Sequence, residues 1–112
     1  MKIQYLDTAR PGLEWMRSYY RQHPQLNRAK ALATLKLAEQ TLVKFPLAGQ
    51  AFGDVANIRE YRLTDTAFSL LYTVANETVW IIDVRDGRGL RSALPLRNYA
   101  RELRDKHGIE SL

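Results

Sequence analysis

Three short strand-like segments follow one another with almost nothing between them: Ile58–Leu63, Ala67–Val74 and Thr78–Val84. They are joined only by Thr64-Asp65-Thr66 and by Ala75-Asn76-Glu77. Connections this short permit antiparallel hairpins, because a parallel crossover needs a dozen or more residues. The run therefore predicts a three-stranded meander, and it leads straight into a basic turn, Arg85-Asp86-Gly87-Arg88. A helical stretch rich in arginine lies on each side of it. Such a layout suits a small basic binding module better than a cofactor enzyme.

At 112 residues the chain is expected to form one domain, residues 1–112, large enough to bury a core without staples. No cysteine is present, so disulfides, thiolate metal sites and cysteine nucleophiles are excluded, and a reducing cytoplasm is the expected compartment. Met1-Lys2-Ile3-Gln4-Tyr5-Leu6-Asp7 lacks the apolar core of a signal peptide, and no apolar run approaches the length of a membrane span. Seventeen basic and twelve acidic residues give a net charge of +5, which favours acidic partners. Arginines 85, 88, 91, 97, 101 and 104 all fall in the last quarter of the chain.

The alternation of Lys2 to Leu6 predicts a first strand. Asp7 and Thr8 are suited to N-cap a helix with Pro11 in its first turn. Leu13, Met16 and Tyr20 form its apolar stripe, Trp15 and Tyr19 widen it, and it ends near His23-Pro24. A second helix begins around Gln25 to Asn27, with the stripe Ala31, Leu35, Ala38, Leu42 and Phe45, and stops at Pro46. The two helices form a hairpin whose apolar stripe needs the meander as cover. The expected contact faces are Phe68, Leu70, Tyr72 and Val74 on the middle strand, and Trp80, Ile82 and Val84 on the next. Leu96, Tyr99, Ala100 and Leu103 predict a terminal helix after Pro95, closed at Gly108. The expected architecture is α+β: an N-terminal strand, a two-helix hairpin, a three-stranded antiparallel meander and a C-terminal helix.

Familiar catalytic signatures are missing. His23 and His107 each stand at a helix end with no ligand at metal spacing, so no metal and no cofactor is expected. Neither a nucleophile elbow nor a Gly-rich phosphate loop is present. Asp83-Val84-Arg85-Asp86-Gly87 lacks the alternating carboxylates of a calcium loop and reads as a strand exit. Of the aromatic residues, Trp15, Tyr72 and Trp80 fall on core stripes, whereas Tyr61, between Arg59 and Arg62, suits either core or stacking. Arg85, Arg88 and Arg91 cluster at the end of the last strand, where they suit phosphate or acidic side chains, or plain solvation, equally well.

Five segments carry a likeness: Ala9 and Leu13 leading to Tyr19-Tyr20; Lys44-Phe45-Pro46-Leu47-Ala48-Gly49; Ile58-Arg59-Glu60-Tyr61; Leu70-Leu71-Tyr72-Thr73-Val74; and Val79 to Arg88. In this order they resemble the RelE/ParE superfamily of bacterial toxins from type II toxin–antitoxin systems, over nearly the whole chain. RelE-like members cut messenger RNA in the ribosomal A site. Where those nucleases often carry an arginine before Leu-x-Tyr, this chain has Ser69. Where histidine or lysine often precedes the closing Gly-Arg, it has Asp86, and only Tyr99 stands near their C-terminal tyrosine or histidine. RNA cleavage needs a base, an acid and cations, and only the cations are evident.

The sequence is more similar to the ParE branch. That resemblance implies a cytoplasmic toxin that inhibits DNA gyrase by binding, serves plasmid stabilisation, and forms a hetero-oligomer with an acidic antitoxin. The alternatives are a ribosome-dependent messenger RNA endonuclease, and a degenerate member that only binds antitoxin. No catalytic residue is assigned. Trp15, Tyr19, Arg59 and Tyr61 are the antitoxin-binding candidates. Arg85, Arg88, Arg91, Arg97 and Arg101 are the target-binding candidates: the first three are expected to project away from the helical hairpin, with Arg85 and Arg88 forming a compact positive tip, and Arg97 and Arg101 to lie on the terminal helix.

Overall fold

The computed structural model describes residues 1–53, 57–89 and 98–110. The elements run β1 (Lys2–Tyr5), α1 (Arg10–Gln22), α2 (Arg28–Lys44), β2 (Gln50–Ala51), β3 (Arg59–Arg62), β4 (Phe68–Ala75), β5 (Thr78–Asp86) and α3 (Tyr99–His107). The α+β order is the expected one, with a two-residue strand, β2, in addition. The sheet order is β1-β5-β4-β3-β2. The meander β3-β4-β5 is antiparallel, and β1 joins it in parallel on the free edge of β5. Asn76 and Glu77, with φ of 51° and 57°, make the β4–β5 turn, since a two-residue hairpin that follows the strand twist needs positive φ at both positions. Among the described residues no helix is long and apolar enough to cross a membrane.

The sheet is covered on both faces. The hairpin α1–α2 buries Met16, Tyr20, Ala31, Ala38 and Leu42 against Phe68, Leu70, Tyr72, Val79, Ile81 and Val84. On the other face Leu6, Ile58, Leu71, Trp80, Ile82, Leu103 and Ile109 pack together. Trp80 and Ile82 therefore do not meet the helical hairpin. Val79 to Ile82 are all apolar because both faces are covered, so the strand carries no alternation to show which way each residue points. A bulge then brings Val84 to the hairpin face: Tyr72 pairs with Ile81 but Leu71 pairs with Asp83, which leaves Ile82 as an extra residue.

Two local expectations are also corrected. Asp7 and Thr8 do not cap α1 but open a 3₁₀ turn, Asp7–Ala9, ahead of it. Glu102 of α3 accepts from their backbone N–H groups at 2.7 and 3.1 Å, so a carboxylate distant in sequence does the capping. Phe45, expected on the α2 core stripe, is 64% exposed because the helix ends at Lys44 and the chain leaves its register there. The caps at Asn27, whose side chain accepts from Lys30 N–H, and at left-handed Gly108 follow the expected pattern. Pro95 and Leu96 lie outside the described residues.

The Phe-Pro-x-x-Gly exit from α2 is explained by Tyr72. Its buried hydroxyl donates to Pro46 O and accepts from Gly49 N–H, both at 2.8 Å. Arg59 Nη1 donates to Gly49 O at 2.8 Å, on the other side of the same glycine. This side chain thus ties the turn to β3, and Tyr61 packs half-buried against the hairpin-face core.

Candidate functional site

The end of β5 sends its side chains to opposite sides of the sheet. Asp86 pairs across to Phe68 on the hairpin face, while Arg85 pairs across to Ser69 on the other. Arg85 lies against Glu60 at 2.8 Å and over the Phe52 ring at 5.6 Å. After Asp86 the chain turns at Gly87, and Arg88 folds back towards α1. The expected compact tip is therefore split, and Arg88 lies on the helical hairpin instead of projecting away from it. A buried carboxylate attracts the arginine two residues later more strongly than solvent does.

Asp86 is the centre of this arrangement, with its side chain fully shielded from solvent. Its Oδ1 accepts from the Arg88 backbone N–H at 2.9 Å and from Arg88 Nε at 3.0 Å. Its Oδ2 accepts from Arg88 Nη2 at 2.7 Å and from Trp15 Nε1 at 2.9 Å. The guanidinium lies 4.0 Å from the Tyr19 ring centroid and 5.7 Å from that of Phe68. Tyr19 is in turn braced edge-on by Phe68 at 5.5 Å and by Tyr20 at 5.3 Å. The sequence spacing that makes this possible is i, i+4 on α1, which sets Trp15 and Tyr19 on one helical face.

Trp15 and Tyr19 (antitoxin candidates) thus meet Arg88 (a target candidate) in one cluster. Arg85 is on the opposite face. Arg59 and Tyr61 serve the α2 exit and the core edge, and Arg101 is exposed on α3 with no ion pair among the described residues. Arg91 and Arg97 lie outside the described residues. In the sequence Asp86 reads as part of a strand exit and as a departure from the nuclease pattern, and its anchoring role shows only in the fold. The available signal was an acid and an arginine separated by one glycine at a strand end, a spacing that lets the arginine turn back on the acid.

The fork from Arg88 chiefly, helped by the Trp15 bond, holds the Asp86 carboxyl down to about 2, and the same pairing raises Arg88. A carboxyl depressed by folding stabilises the protein above its unfolded value of 3.8 and loses that contribution as the pH falls through about 2. The difference is worth about 2 kcal/mol. Asp86→Asn should therefore lower stability at pH 6 by about that amount and flatten the acid limb of the stability curve between pH 4 and 2. An unchanged slope there would separate Asp86 from acid unfolding. Among the described residues no three His, Asp or Glu side chains gather to hold a metal ion.

A mixed sheet carrying a helical hairpin, with an indole, a phenol and a guanidinium fixed on one buried carboxylate, defines a small basic α+β protein built to make contacts. Residues 3–90 match the family model described as ParE toxin of type II toxin-antitoxin system, parDE, and the chain belongs to that family. It is the toxin of a type II toxin–antitoxin system, a class whose partner is an antitoxin. No curated protein and no solved structure matches the chain significantly.

Proposed function

We propose that this toxin inhibits DNA gyrase by binding it and is neutralised by an acidic antitoxin encoded beside it, in a hetero-oligomer serving plasmid stabilisation in the cytoplasm. Residues 1–112 act as one toxin domain in this reading. The observation that carries binding in preference to RNA cleavage is the Asp86–Arg88 pair. A nuclease needs a free cation beside the phosphorane and an acid and base within reach of the same phosphate. Here the carboxyl beside Arg88 is held near 2, which makes it a poor proton acceptor, and its charge already offsets that of the guanidinium. The other titrating candidates are across the sheet: Tyr99 packs on the α3-side core and His107 lies 4.5 Å from Trp80, also on that side. Ser69, which stands where the nucleases often carry an arginine, is buried.

The test compares two purified reactions. The toxin should inhibit DNA supercoiling by gyrase and leave messenger RNA on programmed ribosomes whole. A-site cleavage would instead establish the endonuclease, and inactivity in both would leave a member that only binds antitoxin. Antitoxin contact is expected at Trp15, which is 39% exposed on α1. Partly exposed aromatic anchors carry a large share of interface energy. Trp15→Ala should weaken antitoxin binding at least tenfold while circular dichroism remains that of the folded protein. Undiminished affinity would remove Trp15 from the interface.

A further inference from the structure

We propose that Trp15, Tyr19 and Arg88 form a single docking surface that takes a carboxylate of the antitoxin on the outer edge of the Arg88 guanidinium and an adjacent apolar side chain against Trp15. Asp86 is the positioning residue of that surface. The inference rests on the antitoxin reading above and specifies the site and the chemistry of what fills it.

A guanidinium has five N–H groups. Asp86 takes one from Nε and one from Nη2, which leaves three pointing elsewhere. One flat side of the group is occupied by Tyr19. What remains is an outward edge, and the Arg88 side chain is 34% exposed. A second carboxylate fits such an edge in a planar, charge-assisted geometry, and an arginine already locked in place loses little freedom on accepting it. Trp15 shares the same anchor, Asp86 Oδ2, so the indole and the guanidinium are fixed relative to each other. An acidic residue next to an apolar one therefore reads both groups at once. The chain's net charge of +5 favours an acidic occupant. Covering Trp15 also covers Arg88, so the antitoxin removes this arginine from any other contact. Neutralisation at this surface is direct occlusion.

The experiment uses the full-length toxin and the full-length antitoxin produced from the neighbouring reading frame, titrated calorimetrically at low and high salt. Arg88→Gln should weaken binding at least tenfold and reduce its salt dependence. Arg88→Lys, which keeps the charge but not the fork, should also weaken it. Arg62→Gln, an exposed arginine at the end of β3 with no ion pair among the described residues, should bind as the unaltered protein does. Asp86→Asn should weaken binding although Arg88 is intact, and Asp86→Asn combined with Arg88→Gln should lose little more than Arg88→Gln alone. That non-additivity marks a positioning role and would not arise from general loosening. Unaltered affinity of folded Arg88→Gln and Arg88→Lys would overturn the proposal and leave the antitoxin reading standing. So would loss of gyrase inhibition by Arg88→Gln with antitoxin affinity retained, which would make the surface a target site. If the unaltered toxin bound no antitoxin at all, both readings would fall together.

Discussion

Gly12→Ala is expected to destabilise the protein by about 3 kcal/mol, with the melting temperature falling by roughly 10 °C for a domain of this size. The sign is the informative part. Within a helix, alanine is ordinarily better than glycine by about 0.5–1 kcal/mol. At Gly12, however, a Cβ would lie 2.4 Å from Asp83 Oδ1, 2.8 Å from Val84 N and 2.9 Å from Val84 O. Two of those neighbours are backbone atoms of β5, and Asp83 is itself buried with its Oδ1 accepting from Val84 N–H. None can step aside cheaply, so α1 would have to lift from the sheet. That movement would also pull Trp15 away from Asp86, and antitoxin affinity should fall with stability. A variant melting at or above the unaltered temperature would show that α1 does not approach β5 this closely.

Tyr72→Phe should cost about 3 kcal/mol, although only one oxygen is removed. The Tyr72 ring is fully buried and would stay in place as phenylalanine. The loss falls on two backbone groups that share its hydroxyl, Pro46 O and Gly49 N–H. The buried Gly49 N–H, left without a partner, costs about 1–3 kcal/mol, and the part-buried Pro46 O adds a smaller amount. The effect should be local as well as global: the Gly49 amide is expected to exchange with deuterium about a hundredfold faster, since the α2 exit loses its tie to β4. A cost under about 0.5 kcal/mol with unchanged exchange at Gly49 would mean that water replaces both bonds, contrary to the buried geometry.

The candidate site was legible in its parts and not in its assembly. Trp15 and Tyr19 are visible on a helix because a spacing of four residues sets them on one face, and Arg85 and Arg88 are visible as a basic strand end. Nothing in the local pattern shows that Trp15 and Asp86, seventy-one residues apart in the chain, share a hydrogen bond. Nor does it show that two arginines three residues apart part company, one to Glu60 and one to Tyr19. Those outcomes depend on which way Asp86 points, and that follows from the pleat of β5 counted from a bulge at Ile82. A one-residue slip would have reversed both.

The helices, β1 and the meander are legible in the sequence, whereas the two-residue β2 and the Asp7–Ala9 turn are not. The helices are specified by apolar periodicity, by Asn27 and Gly108 at their ends and by Pro46, and the hairpins by connections too short for any other topology. These are local forces, acting over a few residues, and they leave their mark in adjacent letters. The direction of β1 beside β5, the face on which Trp80 and Ile82 lie, the capping of the Asp7–Ala9 turn by Glu102, and the capture of Arg88 by Asp86 were decided by tertiary structure alone. Each is a choice between partners that the chain offers in more than one place. The choice is made by burial: an apolar strand covered on both faces carries no alternation to read, and a charged group settles on whichever opposite charge the fold has already removed from water.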